Sequence, residues 1–271
     1  MFGKLCKYEW KYMARFFLPM WGVVLVLGVI NAFSAPRWLF SYDVGQGREI
    51  AGGLLFTALT IAFVTVSIVS LVVVIQRFYN GLLKDEGYLM FTLPVKSGML
   101  INSKLLVSVV LMLITGLVCG LSIFIVLVSG AGWTDFWDGL TWMFRHSDLT
   151  GLEWAMIILW GVVLTLAASA SSLYKVYTAM ALGHLAKKHR VGWSVAAYLG
   201  MTMAGSTISN VFLYNADWDS IGDMLSRMMK GMSVPQSIVT MELAAIAFYA
   251  VLSVIYFFVT RYILEKRLNL E

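Results

Sequence analysis

Two adjacent carboxylates, Asp85 and Glu86, lie in residues 76–104, the one long charged stretch within the apolar first half of the chain. Acidic side chains favour the first turn of a helix, because they complement the partial positive charge of its dipole. The apolar residues 89–91 that follow would give a short helix a contact surface, and Pro94 would end it. The pattern predicts a short helix that docks onto a cytosolic partner protein. A solvated loop that only connects two helices is the alternative.

We call residues 76–104 the coupling loop and residues 84–94 within it the docking segment. The loop lies between two stretches that are each apolar enough to cross a bilayer, so we expect it to connect two membrane helices. The docking residues are Lys84, Asp85, Glu86, Gly87, Tyr88, Leu89, Met90, Phe91, Thr92, Leu93 and Pro94.

A second charged pattern occupies residues 1–18. Basic residues recur every three or four positions there and would form one stripe along a helix: Lys4, Lys7, Lys11 and Arg15. Apolar residues fall on the other side, which is typical of a helix that lies in the membrane interface with its basic face toward anionic headgroups. We expect the chain to turn at Pro19, because proline cannot donate a hydrogen bond to the preceding helical turn.

Glu9 interrupts this pattern, because it projects from the middle of the apolar face at 100° per residue. A carboxylate in that position needs a cationic partner. The partner is either a neighbouring helix end within the chain, with Arg77 or Lys104 as candidates, or a cytosolic subunit.

Other residue types that could do chemistry have simpler explanations. His184 and His189 have no carboxylate or thiol near them in sequence, so we expect a solvated basic helix end rather than a metal site. The methionines of residues 214–237 could bind copper(I), but an apolar helix face dipping into lipid explains them as well, and we expect no metal.

Catalytic and energy-coupling motifs are absent from the sequence. It contains no GxxxxGK[ST], HExxH, CxxC or GxSxG pattern. With the span boundaries given below, the central parts of the spans carry no ionisable side chain, whereas ion-coupled carriers usually need one. We therefore expect no enzymatic activity in this chain and an energy source on another protein.

The composition predicts an all-α integral membrane protein with six transmembrane helices in one domain, residues 1–271. Hydrophobic residues make up 60% and charged residues 13% of the chain, whereas soluble domains carry about 25% charge. An N-terminal interfacial elbow helix, the cytosolic coupling helix and an external amphipathic or re-entrant segment, residues 214–237, complete the prediction. The predicted spans are residues 20–35, 51–75, 105–129, 154–173, 191–213 and 238–260.

Two further sequence features fit the predicted membrane topology. Residues 130–153 are rich in tryptophan and acidic residues, which is typical of the headgroup level of a membrane. Gly116 and Gly120 in the third span have the GxxxG spacing that permits close helix approach. This spacing allows a dimer face but is weak evidence for one.

The distribution of charge gives an orientation. Fifteen of the twenty Lys and Arg residues lie in the N-terminal segment, the coupling loop, residues 175–190 and the C-terminal tail. Positively charged loops stay in the cytoplasm. We therefore expect both termini and the coupling loop inside the cell. The net charge of +5 reflects this asymmetry and does not indicate nucleic-acid binding.

The order of these parts resembles the membrane subunit of an ABC type-2 exporter, of the half-size kind found in Gram-positive bacteria. The resemblance covers nearly the whole chain, and its most specific part is residues 84–104. The matching residues there are Glu86, Leu89, Met90, Phe91, Thr92, Leu93, Pro94 and Lys104.

The resemblance implies two permease subunits, identical or related, assembled with two ATPase subunits that bind ATP and Mg²⁺. The coupling helix would sit in a cleft of the ATPase, and export would follow ATP binding. An uncharged, aromatic and Met-rich path suits an apolar or amphipathic substrate, such as an antimicrobial peptide, a drug or a lipid. The alternatives are a membrane scaffold or sensor that binds a cytosolic partner and, less favoured, an ion-coupled secondary carrier.

Overall fold

The computed structural model describes residues 2–34, 46–83, 97–147, 149–186, 188–215, 223, 227 and 231–266. The docking segment and most of the external segment, residues 214–237, lie outside this part of the chain. Seven α-helices and one π-helical turn, Tyr79–Leu83, are described, with no strand among these residues. The helices are α1 Phe2–Ser34, α2 Gln46–Phe78, α3 Ser97–Ala131, α4 Trp133–His146, α5 Gly151–His184, α6 Arg190–Asn215 and α7 Val234–Lys266.

Five of these helices are long and apolar enough to cross a membrane: α1, α2 with its π-helical turn, α3, α5 and α7. The predicted all-α, multi-pass membrane protein is therefore confirmed. The sixth predicted span, residues 191–213, coincides with α6, which is not among the five. Its interior is less apolar than theirs because it carries Gly200, Gly205, Ser206 and Thr207.

The predicted turn at Pro19 is wrong. Residues 2–34 form one continuous helix with Pro19 inside it. Proline removes one backbone hydrogen bond and costs about 3 kcal/mol within a helix. Packing on both sides offsets this cost, because Met13, Phe17 and Val24 are fully buried along one stripe that runs past the proline. The predicted elbow helix and first span are therefore one element.

The described chain divides into two compact units. The first comprises Met1–Arg77 and Leu106–Asp148, and the second comprises Phe78–Leu105 and Leu149–Glu271. The chain thus passes from the first unit to the second at Phe78 and returns after Leu105. The coupling loop, apart from its first two residues, belongs to the second unit.

Within the first unit, α1 and α2 are antiparallel. The Asn31 side chain donates a hydrogen bond to the Leu55 carbonyl at 3.0 Å near one end, and Glu9 pairs with Arg77 near the other. Glu9 and Asn31 lie about 33 Å apart along a helix that rises 1.5 Å per residue. This distance is close to the thickness of the hydrocarbon core, so the two contacts hold α1 and α2 together over a length comparable to a bilayer core.

The first unit also packs α1 parallel to α3. Ser122 donates to the Val24 carbonyl at 3.2 Å, and Trp21 Nε1 donates to Thr115 Oγ1 at 3.0 Å. Gly28 permits this approach, because a Cβ there would lie 2.1 Å from Ser122 Oγ. The Ser122 hydroxyl and the Trp21 indole N–H thereby each find an acceptor within the unit.

The two glycines of the GxxxG pattern, Gly116 and Gly120, do not mediate this packing. No described atom lies within 4 Å of a Cβ built on either residue, and the intervening Leu117 is 72% exposed. The described part of the chain therefore leaves this face of α3 uncovered, and the dimer face stays a prediction.

Within the second unit, α5 is the central helix. It lies parallel to α7, because Thr178 contacts Thr260 at 2.9 Å between their hydroxyls and Tyr174 meets Phe257 at nearly the same offset. It lies antiparallel to α6, where Lys175 Nζ donates to Thr202 Oγ1 at 2.8 Å. The cytosolic ends predicted for α5 and α7 therefore lie on the same side of this unit.

The helix α4 occupies the tryptophan-rich residues predicted to lie at the headgroup level. None of its residues is buried, and Trp133 and Trp142 are 60% and 62% exposed. The sequence analysis predicted the aromatic character of this segment but not a helix.

Candidate functional site

The described residues closest in sequence to the docking segment are the π-helical turn Tyr79–Leu83 before it and the first turns of α3 after it. Both belong to the second unit. We call these two flanks the base of the coupling loop. The eleven docking residues themselves lie outside the described residues, so their role stays a prediction.

The first flank is anchored to the C-terminal half of α5. Phe78 stacks on Tyr177 with ring centroids 4.0 Å apart and planes 11° from parallel, and both side chains are fully buried. Tyr79 meets His184 edge-on at 6.0 Å. Leu82 and Leu83 are also buried. The residues immediately before the docking segment are therefore buried and packed against α5.

The π-helical turn itself is a feature that the sequence analysis did not predict. π-Helical turns are rare and occur frequently at functional sites. The turn has the sequence YNGLL, and its Gly81 is buried together with Leu82 and Leu83. The wider turn keeps these residues against the protein immediately before the docking segment.

The second flank is anchored to α5 and α7. The Ser97 hydroxyl donates a hydrogen bond to the Glu265 carboxylate near the end of α7. Arg261 holds the same carboxylate from one turn earlier, with its Nε 2.9 Å from Glu265 Oε1. Five residues after Ser97, the Asn102 side chain accepts a hydrogen bond of 2.8 Å from the Tyr174 hydroxyl. Charged and neutral hydrogen bonds therefore fix the start of α3.

Both flanks are thus held by a single pair of helices. Tyr177 and Tyr174, one turn apart on α5, contact the first and the second flank respectively. On the same helix, the Thr178 hydroxyl contacts the Thr260 hydroxyl of α7 and donates to the Tyr256 carbonyl of α7 at 3.1 Å. A displacement of the docking segment would therefore act on α5 and α7 through short contacts at both of its ends.

In the first unit, Glu9 forms an ion pair with Arg77. Arg77 Nε lies 2.5 Å from Glu9 Oε2, and Nη2 lies 3.1 Å from Oε1. The guanidinium also lies over the Tyr12 ring, 4.3 Å from its centroid. The Glu9 residue is 3% exposed. The predicted pairing of Glu9 within the chain is therefore confirmed, with Arg77 as a partner.

The basic stripe of the N-terminal pattern faces outward in the structure. All four basic residues of the stripe are exposed: Lys4, Lys7, Lys11 and Arg15. Lys104, the other candidate partner for Glu9, lies inside α3 and is buried at 2% exposure. An exposed basic stripe on α1 remains available to anionic headgroups or to a protein.

The histidines do not assemble a metal site among the described residues. No group of three or more His, Cys, Asp or Glu side chains that could hold an ion occurs there. The Arg190 guanidinium lies 3.3 Å from His184 Nε2, and Tyr79 covers the ring edge-on. A cation this close opposes a second one. His184 itself is buried, with 8% of its surface exposed, so the solvated helix end predicted from the sequence is wrong for this residue.

An apolar cavity of about 350 Å³ opens between α2 and α3 in the first unit. It lies in the half of these helices remote from Arg77, and its one side-chain hydroxyl belongs to Thr60. The lining residues are Phe56, Leu59, Thr60, Phe63, Ile123, Val126 and Leu127. Its chemistry suits an apolar ligand or a lipid chain.

The sequence analysis overlooked Glu242. Glu242 falls at the fifth position of the sixth predicted span, outside the central part that the sequence analysis described as free of ionisable side chains. The structure begins α7 at Val234, which places Glu242 more than two turns inside the helix. The signal was present in the sequence as a single carboxylate within an otherwise uncharged span.

Comparisons with protein-family models, with curated proteins and with solved structures give no match for this chain. The functional assignment therefore rests on the residues and the geometry described above.

Proposed function

We propose that the chain is the membrane-spanning permease subunit of an ATP-driven exporter of the ABC type-2 class. In this proposal a separate ATPase subunit binds the docking segment and supplies the energy. The observation that carries the proposal is the base of the coupling loop. Short contacts from both flanks to α5 and α7 would convert a force on residues 84–94 into movement of two membrane helices.

Transmission of force from the docking segment to the membrane helices requires that the two ends of the coupling loop be held rigidly. A loop transmits displacement only if its ends are fixed to the elements that must move. Phe78 and Tyr177 form a stacked and fully buried aromatic pair, and Asn102 accepts from Tyr174 on the other side. A loop that only joined two helices would require neither contact.

The rest of the assembly follows from the same proposal. The chain binds no cofactor, and ATP and Mg²⁺ belong to the partner ATPase. A second permease subunit, identical or related, completes the translocation path. The sixth span is α6, both termini lie in the cytoplasm, and the complex resides in a bacterial cell membrane. The exposed basic stripe of α1 contacts anionic lipid headgroups.

The proposed substrate is apolar or amphipathic, such as an antimicrobial peptide, a drug or a lipid-like molecule. The apolar cavity between α2 and α3 supports this class, because a hydroxyl is its only polar side-chain group and it has no charged lining residue. Such a surface gains free energy by burying apolar groups and cannot compensate an isolated charge.

Affinity purification from native membranes in mild detergent tests the proposal. The tagged chain is expected to elute with a P-loop ATPase subunit and with ATP hydrolysis in the eluate. A second permease in the eluate would define a mixed assembly. A single chain without ATPase activity, under conditions that preserve other membrane complexes, would contradict the proposal and favour a scaffold or sensor.

One observation favours a second candidate, the ion-coupled secondary carrier. Glu242 provides an ionisable side chain inside a membrane helix, which is what such carriers need. Substrate uptake into vesicles that contain only this chain, driven by a proton gradient without ATP, would support the carrier over the exporter.

A further inference from the structure

Glu242 is the one charged residue of α7 between Val234 and Thr260. It lies about 12 Å along the helix axis from Val234 and about 28 Å from Arg261, at a rise of 1.5 Å per residue. The hydrocarbon core of a bilayer is about 30 Å thick. Because charged groups mark the cytosolic end of α7 at Arg261, Glu242 falls within the apolar part of the span.

The Glu242 carboxylate lies against α5 where that helix has no side chain. A Cβ built on Gly161 would be 3.5 Å from Glu242 Oε1. Glu242 Oε2 is buried and accepts no hydrogen bond from the described residues. A methyl group at position 161 would therefore be in van der Waals contact with Oε1, and the described part of the protein leaves Oε2 unsatisfied.

No cationic residue of the neighbouring helices is close enough to compensate this group. The first Lys or Arg on α5 after Gly161 is Lys175, about 21 Å further along the axis. Lys175 is engaged with Thr202 and with the Tyr198 ring on α6. On α7 the nearest cationic residue is Arg261. A charge at Glu242 would therefore have no countercharge along these helices.

Protonation of the Glu242 carboxylate would remove its charge but would not satisfy its hydrogen-bonding groups. A neutral carboxylic acid carries an O–H group that itself requires an acceptor, and no described residue lies within hydrogen-bond distance of Oε2. Ionisable residues inside membrane spans are costly and usually mark substrate or ion pathways. A ligand that brings positive charge would satisfy the carboxylate in a way that the described residues do not.

We propose that Glu242 recognises the positive charge of the substrate, so that the transported class is lipophilic cations or cationic amphiphiles. Gly161 places no side chain against the carboxylate, and in this proposal the apolar surfaces of α5 and α7 contact the rest of the molecule. As a statement about transport, this inference rests on the proposed exporter function. Binding itself is a property of this chain.

Binding of radiolabelled tetraphenylphosphonium to the purified chain in lipid nanodiscs tests the inference. Wild-type protein is expected to bind this lipophilic cation saturably, and Glu242→Gln is expected to weaken binding at least tenfold. Glu153→Gln is the matched control. It makes the same change at the exposed start of α5, where glutamine can still form the capping box with Thr150, and binding is expected to be unchanged.

Further variants and ligands separate recognition of charge from loss of structure. Glu242→Asp keeps the charge and is expected to bind more tightly than Glu242→Gln. Tetraphenylborate, which has a similar shape and the opposite charge, is expected not to compete. The melting temperature of Glu242→Gln should equal or exceed that of the wild type, because the substitution removes a carboxylate from an apolar span.

Three results would overturn the inference: no saturable binding by the wild type, equal binding by wild type and Glu242→Gln, or equal losses in the Gln and Asp variants. The test is independent of the ATPase. Cation binding that depends on Glu242, in a chain that purifies without an ATPase, would refute the exporter while retaining the site. Co-purification of an ATPase without such binding would refute the site alone.

Discussion

Replacing Glu9 with glutamine is expected to lower the free energy of unfolding by about 3 kcal/mol, because it removes the carboxylate that compensates the Arg77 guanidinium. The side chains of Arg77 and Glu9 are only 10% and 4% exposed, so water screens the pair weakly. Two unit charges about 4 Å apart attract by about 4 kcal/mol at an effective dielectric constant of about 20. The Tyr12 ring continues to contact the guanidinium, which places the cost at the lower end of the usual 3–5 kcal/mol.

A double-mutant cycle isolates the pair. Arg77→Met alone is expected to cost about as much as Glu9→Gln, because it leaves the buried carboxylate without its guanidinium. Combining the two substitutions is expected to cost about 2–3 kcal/mol less than the sum, since neither charge then remains buried. The measurement is reversible unfolding by SDS titration in mixed micelles, followed by the fluorescence of the ten tryptophans.

The exposed basic stripe supplies the control for this cycle. Lys7 lies on the same helix and is exposed, so Lys7→Met should change the free energy of unfolding by less than about 0.5 kcal/mol. Additive effects of Glu9→Gln and Arg77→Met would refute the argument, because they would show that the two charges do not stabilise one another.

Three further predictions follow from the second unit. Gly183→Ala should destabilise the protein by about 1–3 kcal/mol, because a Cβ at position 183 would lie 2.3 Å from the backbone nitrogen of Ser194. Gly200→Ala is the control, because a Cβ at position 200 meets open space in the described structure. It should be neutral or stabilising by up to about 1 kcal/mol. Melting temperatures in detergent compare the two. Tyr177→Ala should cost about 3–5 kcal/mol, because it removes the ring stacked on Phe78. If the exporter proposal is right, Tyr177→Ala should also lower the substrate-stimulated part of ATP hydrolysis in the purified complex more than the basal part. Loss of stability without any change in the ratio of substrate-stimulated to basal ATP hydrolysis would contradict the anchoring role of Tyr177.

The helices could largely be predicted from the sequence, because hydropathy over 18 or more residues is a strong local signal. Their lengths could not, since helices continue beyond the membrane: α5 runs to His184, where the prediction ended at residue 173. Pro19 shows the limit of local rules. Its preference for a turn was overridden by packing of residues before and after it, and packing depends on distant parts of the chain.

The site could be predicted in part for the same reason. A carboxylate on an apolar helix face requires a cation, so the sequence was sufficient to limit the partner of Glu9 to two residues of the chain or a separate subunit. Choosing Arg77 required the antiparallel placement of α1 and α2. The contacts at the base of the coupling loop join residues that are distant in sequence: Asn102 and Tyr174 are 72 positions apart, and Ser97 and Glu265 are 168 positions apart. No periodicity in the sequence encodes such pairs.

The central claim is that residues 84–94 bind an ATPase, and charge reversal in this segment tests it most directly. The tagged chain carrying Asp85→Lys and Glu86→Lys is purified beside wild type, and both the ATPase subunit and ATP hydrolysis are quantified in the eluates. The control carries Asp135→Lys and Asp138→Lys, which reverse two exposed carboxylates on α4, predicted to lie on the opposite side of the membrane.

The account predicts that wild type and control elute with an ATPase subunit that hydrolyses ATP, and that the docking-segment variant elutes without it. Equal ATPase recovery and equal hydrolysis in all three preparations would contradict docking through this segment. Absence of an ATPase from the wild-type eluate would contradict the exporter itself.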